Sequence, residues 1–311
     1  MATGYEALRS AAAWIDFQDR GKIRVTGEDR ARLLHAMSTN DVQHLAPHQG
    51  LYAFFLSAVG RILADAYIYN LGDSLFLDTE PETAAKLSEH LDKYIIADDA
   101  TLENETGEWA CIGIEGLKAL EVAPQLGISV PQKTYAIADW QNGFVARVAS
   151  TGSEGIRIFV PIGSKHLLMD KLIAFIPQAA SSEARLVRME NGIPRYGDDI
   201  SERYLVQETQ QLHAVHFNKG CYLGQEIVER VRSRGQVHRV LMSLRIHTTV
   251  PPTPGTKLVA DGQNAAEITS AEFSPALGEV VALAYVRTEP AHTKPQLTIA
   301  GSDPPITATL P

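Results

Sequence analysis

The chain has 311 residues, of which 45% are hydrophobic and 21% charged, with a formal net charge of -9. That length supports two or three domains with a substantial core, and the acidic balance argues against a general nucleic-acid binder. No stretch approaches the roughly 18 to 20 continuous apolar residues of a membrane-spanning helix, and two distant cysteines, Cys111 and Cys221, give no disulfide framework.

The region around Glu6 and Asp16 has the pattern of neither a signal peptide nor a transit peptide, so a reducing, cytoplasmic setting is expected. Residues 22–26 read as a short strand, and Gly27, Glu28 and Asp29 open an amphipathic helix in which Leu33, Leu34 and Met37 recur at helical spacing. Strands at 51–56 and 61–69 flank turn-forming residues as a hairpin, and 74–77 adds a third antiparallel strand. Thr79 is placed to cap a helix over 81–93, with Glu80 and Glu82 in its first turn. A related order recurs: a strand at 109–114, a helix at 117–123, a hairpin of 143–149 with 155–160, and a helix at 164–175. After about residue 237 short runs broken by Pro and Gly, at 240–246, 257–260, 266–273, 278–285 and 296–299, read as a small β-barrel or sandwich.

Two clusters carry candidate chemistry. In Lys219-Gly220-Cys221-Tyr222-Leu223-Gly224-Gln225-Glu226 a cysteine sits between glycines, beside a lysine and ahead of a helix over 225–234 closed by Gly235. A thiol pKa of roughly 8.5 falls at a helix N-terminus or next to a cation; the other reading of Cys221 is a small, buried, inert side chain. The window 219–239 carries a net +3, leaving -12 for the rest of the chain. That is either an anion-attracting patch or a solvated helix face. Upstream, Arg185, Leu186, Val187, Arg188 and Met189 suggest a short helix that ends at Asn191 and Gly192. Glu190 falls in its last turn, where the helix dipole disfavours an anion. Its carboxylate therefore serves an N–H-rich ligand or an arginine, or is simply exposed. His213 and His216 with Cys221 make an incomplete metal set, so no resident metal is expected. Phosphate-cradling glycine loops and serine-hydrolase signatures are absent.

The Lys219 to Glu226 motif, together with Gly60-Arg61-Ile62-Leu63-Ala64-Asp65, Thr151-Gly152-Ser153-Glu154-Gly155 and the Arg188 to Gly197 stretch, resembles the YgfZ-type folate-binding, iron–sulfur cluster maintenance proteins, relatives of the glycine-cleavage T-protein. The resemblance implies an α+β fold: a three-domain ring of two mixed α/β units with antiparallel sheets and a C-terminal β-barrel around a folate pocket. Residues 1–105 and 176–236 would form a discontinuous folate-pocket domain, 106–175 the second α/β domain and 237–311 the barrel. It also implies tetrahydrofolate as cofactor, with Glu190 on the pterin edge and Arg230 on its polar part or glutamyl tail. Asp65 would hydrogen-bond the cofactor, Tyr67 and Tyr222 would wall it, and Cys221 would be the functional thiol.

T-proteins carry paired aspartates where this chain has Ala64 and Asp65, and they lack the Lys-Gly-Cys signature. Both departures favour an accessory protein for iron–sulfur cluster assembly or repair over aminomethyl transfer. In that role Cys221 could give one ligand to a transient cluster shared with an iron–sulfur client or scaffold protein. A folate-dependent aminomethyltransferase, and an adaptor that has lost its ligand, are the alternatives.

Overall fold

The structure is a computed structural model that describes residues 3–235 and 237–310. After α1 (Gly4–Ser10) and β1 (Ala13–Asp16), the first unit comprises β2 (Gly21–Thr26), α2 (Arg30–Met37), β3 (Gly50–Leu56), β4 (Ile62–Asn70), β5 (Leu75–Thr79), α3 (Ala84–Asp92) and β6 (Thr101–Asn104). Its antiparallel strands run in the order β3-β4-β5-β2-β6. Alternation decides what each face does. Ile23, Val25, Ala64, Ala66, Ile68, Leu75 and Leu77 point to the helix side, where Leu33, Leu34 and Met37 of α2 and Leu87 and Leu91 of α3 cover them.

The second unit comprises β7 (Trp109–Glu115), α4 (Ala119–Gln125), β8 (Ile137–Trp140), β9 (Gly143–Ala146), β10 (Gly155–Pro161) and α5 (Lys165–Ile173). Its sheet order is β1-β7-β10-β9-β8, so β1, at the front of the chain, is an edge strand of the second sheet. Ile112, Ile114, Ile156, Ile158 and Val160 pack under α4 and α5. The opposite faces of the two sheets meet through Tyr69 and Phe76 from the first and Cys111, Phe144 and Phe159 from the second. Phe144 stacks on Phe159 at 4.6 Å, and Phe76 meets Phe159 edge-on at 5.5 Å. Burial there pushes the Cys111 thiol up to about 12, which keeps it an inert core group.

Then come α6 (Ser181–Glu190), α7 (Gln225–Arg234), and β11 (Arg239–Ile246), β12 (Lys257–Ala260), β13 (Gln263–Ser274), β14 (Glu279–Arg287), α8 (Thr288–Thr293), β15 (Leu297–Ile299) and β16 (Thr307–Thr309). The last six strands close into a barrel in the order β11-β14-β13-β12-β15-β16. A register shift in β13 between Ile268 and Ser270 puts Thr269 and Ser270 in reach of Asp199, and both hydroxyls donate to its Oδ1.

The α+β reading, with antiparallel sheets and a C-terminal barrel, is what the structure shows. The differences lie in short elements. Thr79 closes β5, and a single 3-10 turn, Pro81–Thr83, separates it from α3. Strands β1, β6, β8 and β16 are three or four residues long, too short for a periodicity to register.

Asp199 is fully buried and accepts from Arg188 Nη1 at 2.7 Å as well as from the barrel. Asp199→Ala leaves the buried Arg188 guanidinium only its longer carboxylate contact, with Asp198 at 3.1 Å, so urea unfolding should lose about 3 kcal/mol, with hydrogen exchange of β13 and β14 accelerating first.

Candidate functional site

Between the two sheets, α6 and the 193–198 segment lies a cavity of about 310 Å³, lined among others by Phe17, Arg20, Tyr52, Asp65, Tyr67 and Glu80. Strand β4 supplies its acid. The register slips between Phe55 and Leu56, so that Ala64 pairs with Phe55 while Ile62 pairs with Leu56. This bulge sets the phase of the rest of the strand: Ala64, Ala66 and Ile68 enter the core, and Asp65 and Tyr67 face the cavity. An acid at position 64 would therefore point into the apolar layer beneath α2 and α3. The alanine there takes no carboxylate out of the cavity.

Asp65 Oδ2 accepts from the Tyr52 hydroxyl at 2.6 Å. Burial and then the charge of Glu80 push the Asp65 carboxyl up to about 7, against the Tyr52 bond and the guanidinium groups of Arg20 and Arg195. Glu80 goes the other way. Burial works to raise it, but Arg20 and Arg195 together hold it below the usual carboxylate range. Arg195 Nη2 reaches Glu80 Oε2 at 2.8 Å, and Arg20 Nη1 is bonded to Glu80 Oε1. Two cavity carboxyls are thus driven apart, one toward the neutral form and one toward the charged form.

These contacts belong to a continuous ladder of alternating charge. Asp78, fully buried on β5, takes Arg20 Nε on one oxygen and Arg157 Nη1 of β10 on the other, each at 2.5 Å. Arg20 continues to Glu80 and Glu80 to Arg195. Arg195 and Arg188 approach Asp198 at 3.8 and 3.1 Å, and Arg188 reaches Asp199 and so the barrel. Tyr67 lies alongside, with Arg157 over its ring at 4.8 Å and Tyr52 at 5.1 Å.

Asp65 and Tyr67 thus line the cavity; the remaining sequence candidates do not. Glu190 ends α6 on the face turned from Ala184, Arg185 and Arg188, which do line it. Its carboxylate accepts from the Tyr5 hydroxyl at 2.5 Å and from Ser274, and pairs with Arg9 at 2.9 Å. An arginine on α1 is thus its partner. Arg230 is exposed on α7. Tyr222 is buried in a cluster with Tyr52, Phe54 and Tyr196.

Cys221 is exposed, four residues ahead of Gln225, and the helix is capped by Gly224 in the left-handed conformation. The motif around it is a docking device. Lys219 Nζ donates to the carbonyls of His35, Ser38 and Asn40 at 2.5 to 2.7 Å, closing the C-terminal end of α2, and Leu223 N donates to Ala36 O. A Cβ at Gly224 would lie 2.7 Å from Ser57 O, and one at Gly60 2.6 Å from Ile227 Cβ, so the two glycine motifs seat α7 against the β3–β4 hairpin. Among the described residues no group of His, Cys, Asp or Glu is arranged to hold a metal ion, and no helix is long and apolar enough to cross a membrane.

Sequence reasoning missed Glu80, Arg20, Asp78, Arg157 and Arg195. The legible signal was a charged residue inside an otherwise apolar strand: Arg157 sits within a run of six buried residues on β10.

A model described as the GCVT N-terminal domain matches residues 1–219, and one described as the glycine cleavage T-protein C-terminal barrel domain matches 239–310. Similar proteins include an aminomethyltransferase of Deinococcus deserti, 28% identical over 98% of this chain and 86% of that protein, and one of Rubrobacter xylanophilus, 27% identical over 92% and 78%. The crystal structure of glycine cleavage system aminomethyltransferase T from Bartonella henselae superposes with a TM-score of 0.89, covering 98% of this chain and 86% of that one. At 20% identity this is a likeness of fold.

Two outcomes follow from this geometry. Because Asp65 binds its proton more tightly folded than unfolded, it contributes stability below about pH 4 that is lost as pH rises through about 7. Asp65→Asn should melt like wild type at pH 4 and several degrees higher at pH 8, by differential scanning calorimetry. Lys219→Met strands three carbonyls and should cost on the order of 2 kcal/mol, with faster hydrogen exchange at the Leu223 amide.

Proposed function

Because the chain belongs to the glycine cleavage T-protein family, we propose that its central cavity binds tetrahydrofolate and serves folate-dependent group transfer of the aminomethyltransferase kind. The observation that carries this is a pair of cavity carboxyls in unlike surroundings: Asp65 is buried and bonded to the Tyr52 hydroxyl, whereas Glu80 is bonded to both Arg20 and Arg195. The reading that the lost acid at position 64 counts against transfer loses its force once Ala64 lies in the core.

The cavity suits the ligand. About 310 Å³ lies at the lower end of small-molecule sites, which run roughly 300 to 1,000 Å³. Phe17, Tyr52 and Tyr67 offer apolar faces for a flat ring, while carboxylates and guanidinium groups at its edge match the mixed donors and acceptors of an aminopyrimidinone. When bound, tetrahydrofolate supplies the nitrogens that accept a one-carbon unit. Asp65 does the proton work: neutral, it donates to a nearby nitrogen, and ionised, it takes the proton back. Tyr52 holds one carboxyl oxygen in place, and the neighbouring Glu80 charge favours the protonated form of Asp65. The ladder fixes Glu80 through two guanidinium groups, so the field at Asp65 is set before a substrate arrives.

Purified protein given tetrahydrofolate and an aminomethylated lipoyl carrier should form methylene-tetrahydrofolate, and Asp65→Asn should slow this by about a hundredfold or more with tetrahydrofolate affinity changed only a few-fold. Saturable binding without product at high enzyme concentration would contradict transfer.

A second reading rests on Cys221, exposed in a loop pinned on both sides by Lys219 and Leu223. It makes the protein an accessory to iron–sulfur cluster assembly or repair, acting on iron–sulfur client or scaffold proteins. Full rescue of iron–sulfur enzyme activities by Cys221→Ser in cells lacking the protein would remove the thiol from that role.

A further inference from the structure

We infer that Arg157 fixes a flat heterocycle in the central cavity by donating to its ring carbonyl oxygen from a guanidinium edge that the protein leaves free. This rests on the tetrahydrofolate reading and names the contact that orients the ring.

Arg157 is 1% exposed, yet it lines the cavity. A guanidinium has five N–H donors. Nη1 donates to Asp78 Oδ2 at 2.5 Å, while Nε has no partner. Buried donors are nearly always satisfied, and one left open beside a cavity points to an acceptor that is brought in. Among the described residues no other arginine of the cavity has a buried nitrogen without a partner. Arg185 is held by Glu272 at 3.0 Å, Arg188 by Asp199 at 2.7 Å and Arg195 by Glu80 at 2.8 Å, while Arg20 is shared between Asp78 and Glu80.

Charge and shape agree. Beside Arg157 both oxygens of Asp78 are already filled, by Arg20 and by Arg157 Nη1, and the Lys22 ammonium is spent on the carbonyls of Gln18 and Arg20. An incoming oxygen is favoured there over a further donor. The guanidinium carbon lies 4.8 Å from the Tyr67 ring centroid and 5.1 Å from that of Phe17, so the group sits in a slot between two aromatic side chains that line the cavity. A planar ring with a lactam oxygen can lie in that slot in the plane of the guanidinium, whereas a flexible carboxylate tail has no need of aromatic walls. Both ligand oxygens accept from the same N–H edge; the flat slot assigns the ring.

Isothermal calorimetry with tetrahydrofolate, 6-methyltetrahydropterin and p-aminobenzoylglutamate distinguishes these sources. Arg157→Lys keeps a cation for Asp78 but removes the planar edge. Arg157→Met leaves Asp78 its bond from Arg20 and gives a second variant where the lysine variant fails to fold. In whichever variant melts cooperatively, affinity for tetrahydrofolate and for the methylpterin should fall at least about tenfold, with the aminobenzoylglutamate heat unchanged. Unaltered pterin affinity overturns the inference, and so does a loss confined to aminobenzoylglutamate, which would hand Arg157 to the tail. Failure of wild type to bind any of the three overturns the folate reading itself, and this inference with it.

Discussion

Asp78 is the constraint on which the rest of the molecule turns. A carboxylate with no exposure, on the face where two sheets meet, can remain charged only if cations compensate it, and it has two, one from each unit. Arg20 flanks the strand that pairs with β5, and Arg157 reaches across from β10. The contact between the sheets is otherwise aromatic and non-directional. The shared carboxylate gives it a single register, because both oxygens are used and neither arginine can be moved without stranding a buried charge.

From that fixed point the charges propagate outward. Arg20, held by Asp78, holds Glu80; Glu80 takes Arg195, and the Asp198–Asp199 pair carries the same alternation into α6 and the barrel. The cavity lies along this ladder, which explains why one of its carboxyls is charged and the other near neutral. Glu80 has guanidinium partners on both oxygens. Asp65 has a tyrosine hydroxyl, burial and a neighbouring anion. The acid–base asymmetry of the site is therefore a by-product of how the domains are locked together.

The broad architecture was legible in the sequence because long alternating strands announce themselves, as in the 51–69 hairpin, whereas Asp65 and Tyr67 were singled out only by the family resemblance. The ladder could not. Glu80 looks like an ordinary first-turn acid of a helix, and only the tertiary approach of Arg20 and Arg195 makes it a fixed charge. Glu190 was misleading for a related reason: its motif is local, but its direction is set by Tyr5 and Arg9 of α1, 185 and 181 residues away in sequence, and α1 is marked only by the Thr3 and Glu6 capping box. The Lys219 to Glu226 signature stands out in the sequence, while the duty of its lysine, closing the end of α2, depends on a partner that no spacing reveals.

The proposed function makes the cavity between the sheets a tetrahydrofolate site with Asp65 at its reacting end. A crystal structure of the protein soaked with tetrahydrofolate tests it most directly. The expected result is density for the reduced pterin between Tyr67 and Phe17, with a ring nitrogen within hydrogen-bond reach of Asp65. Ligand density elsewhere, or a cavity that stays closed around the Asp78 ladder at saturating ligand, would contradict it.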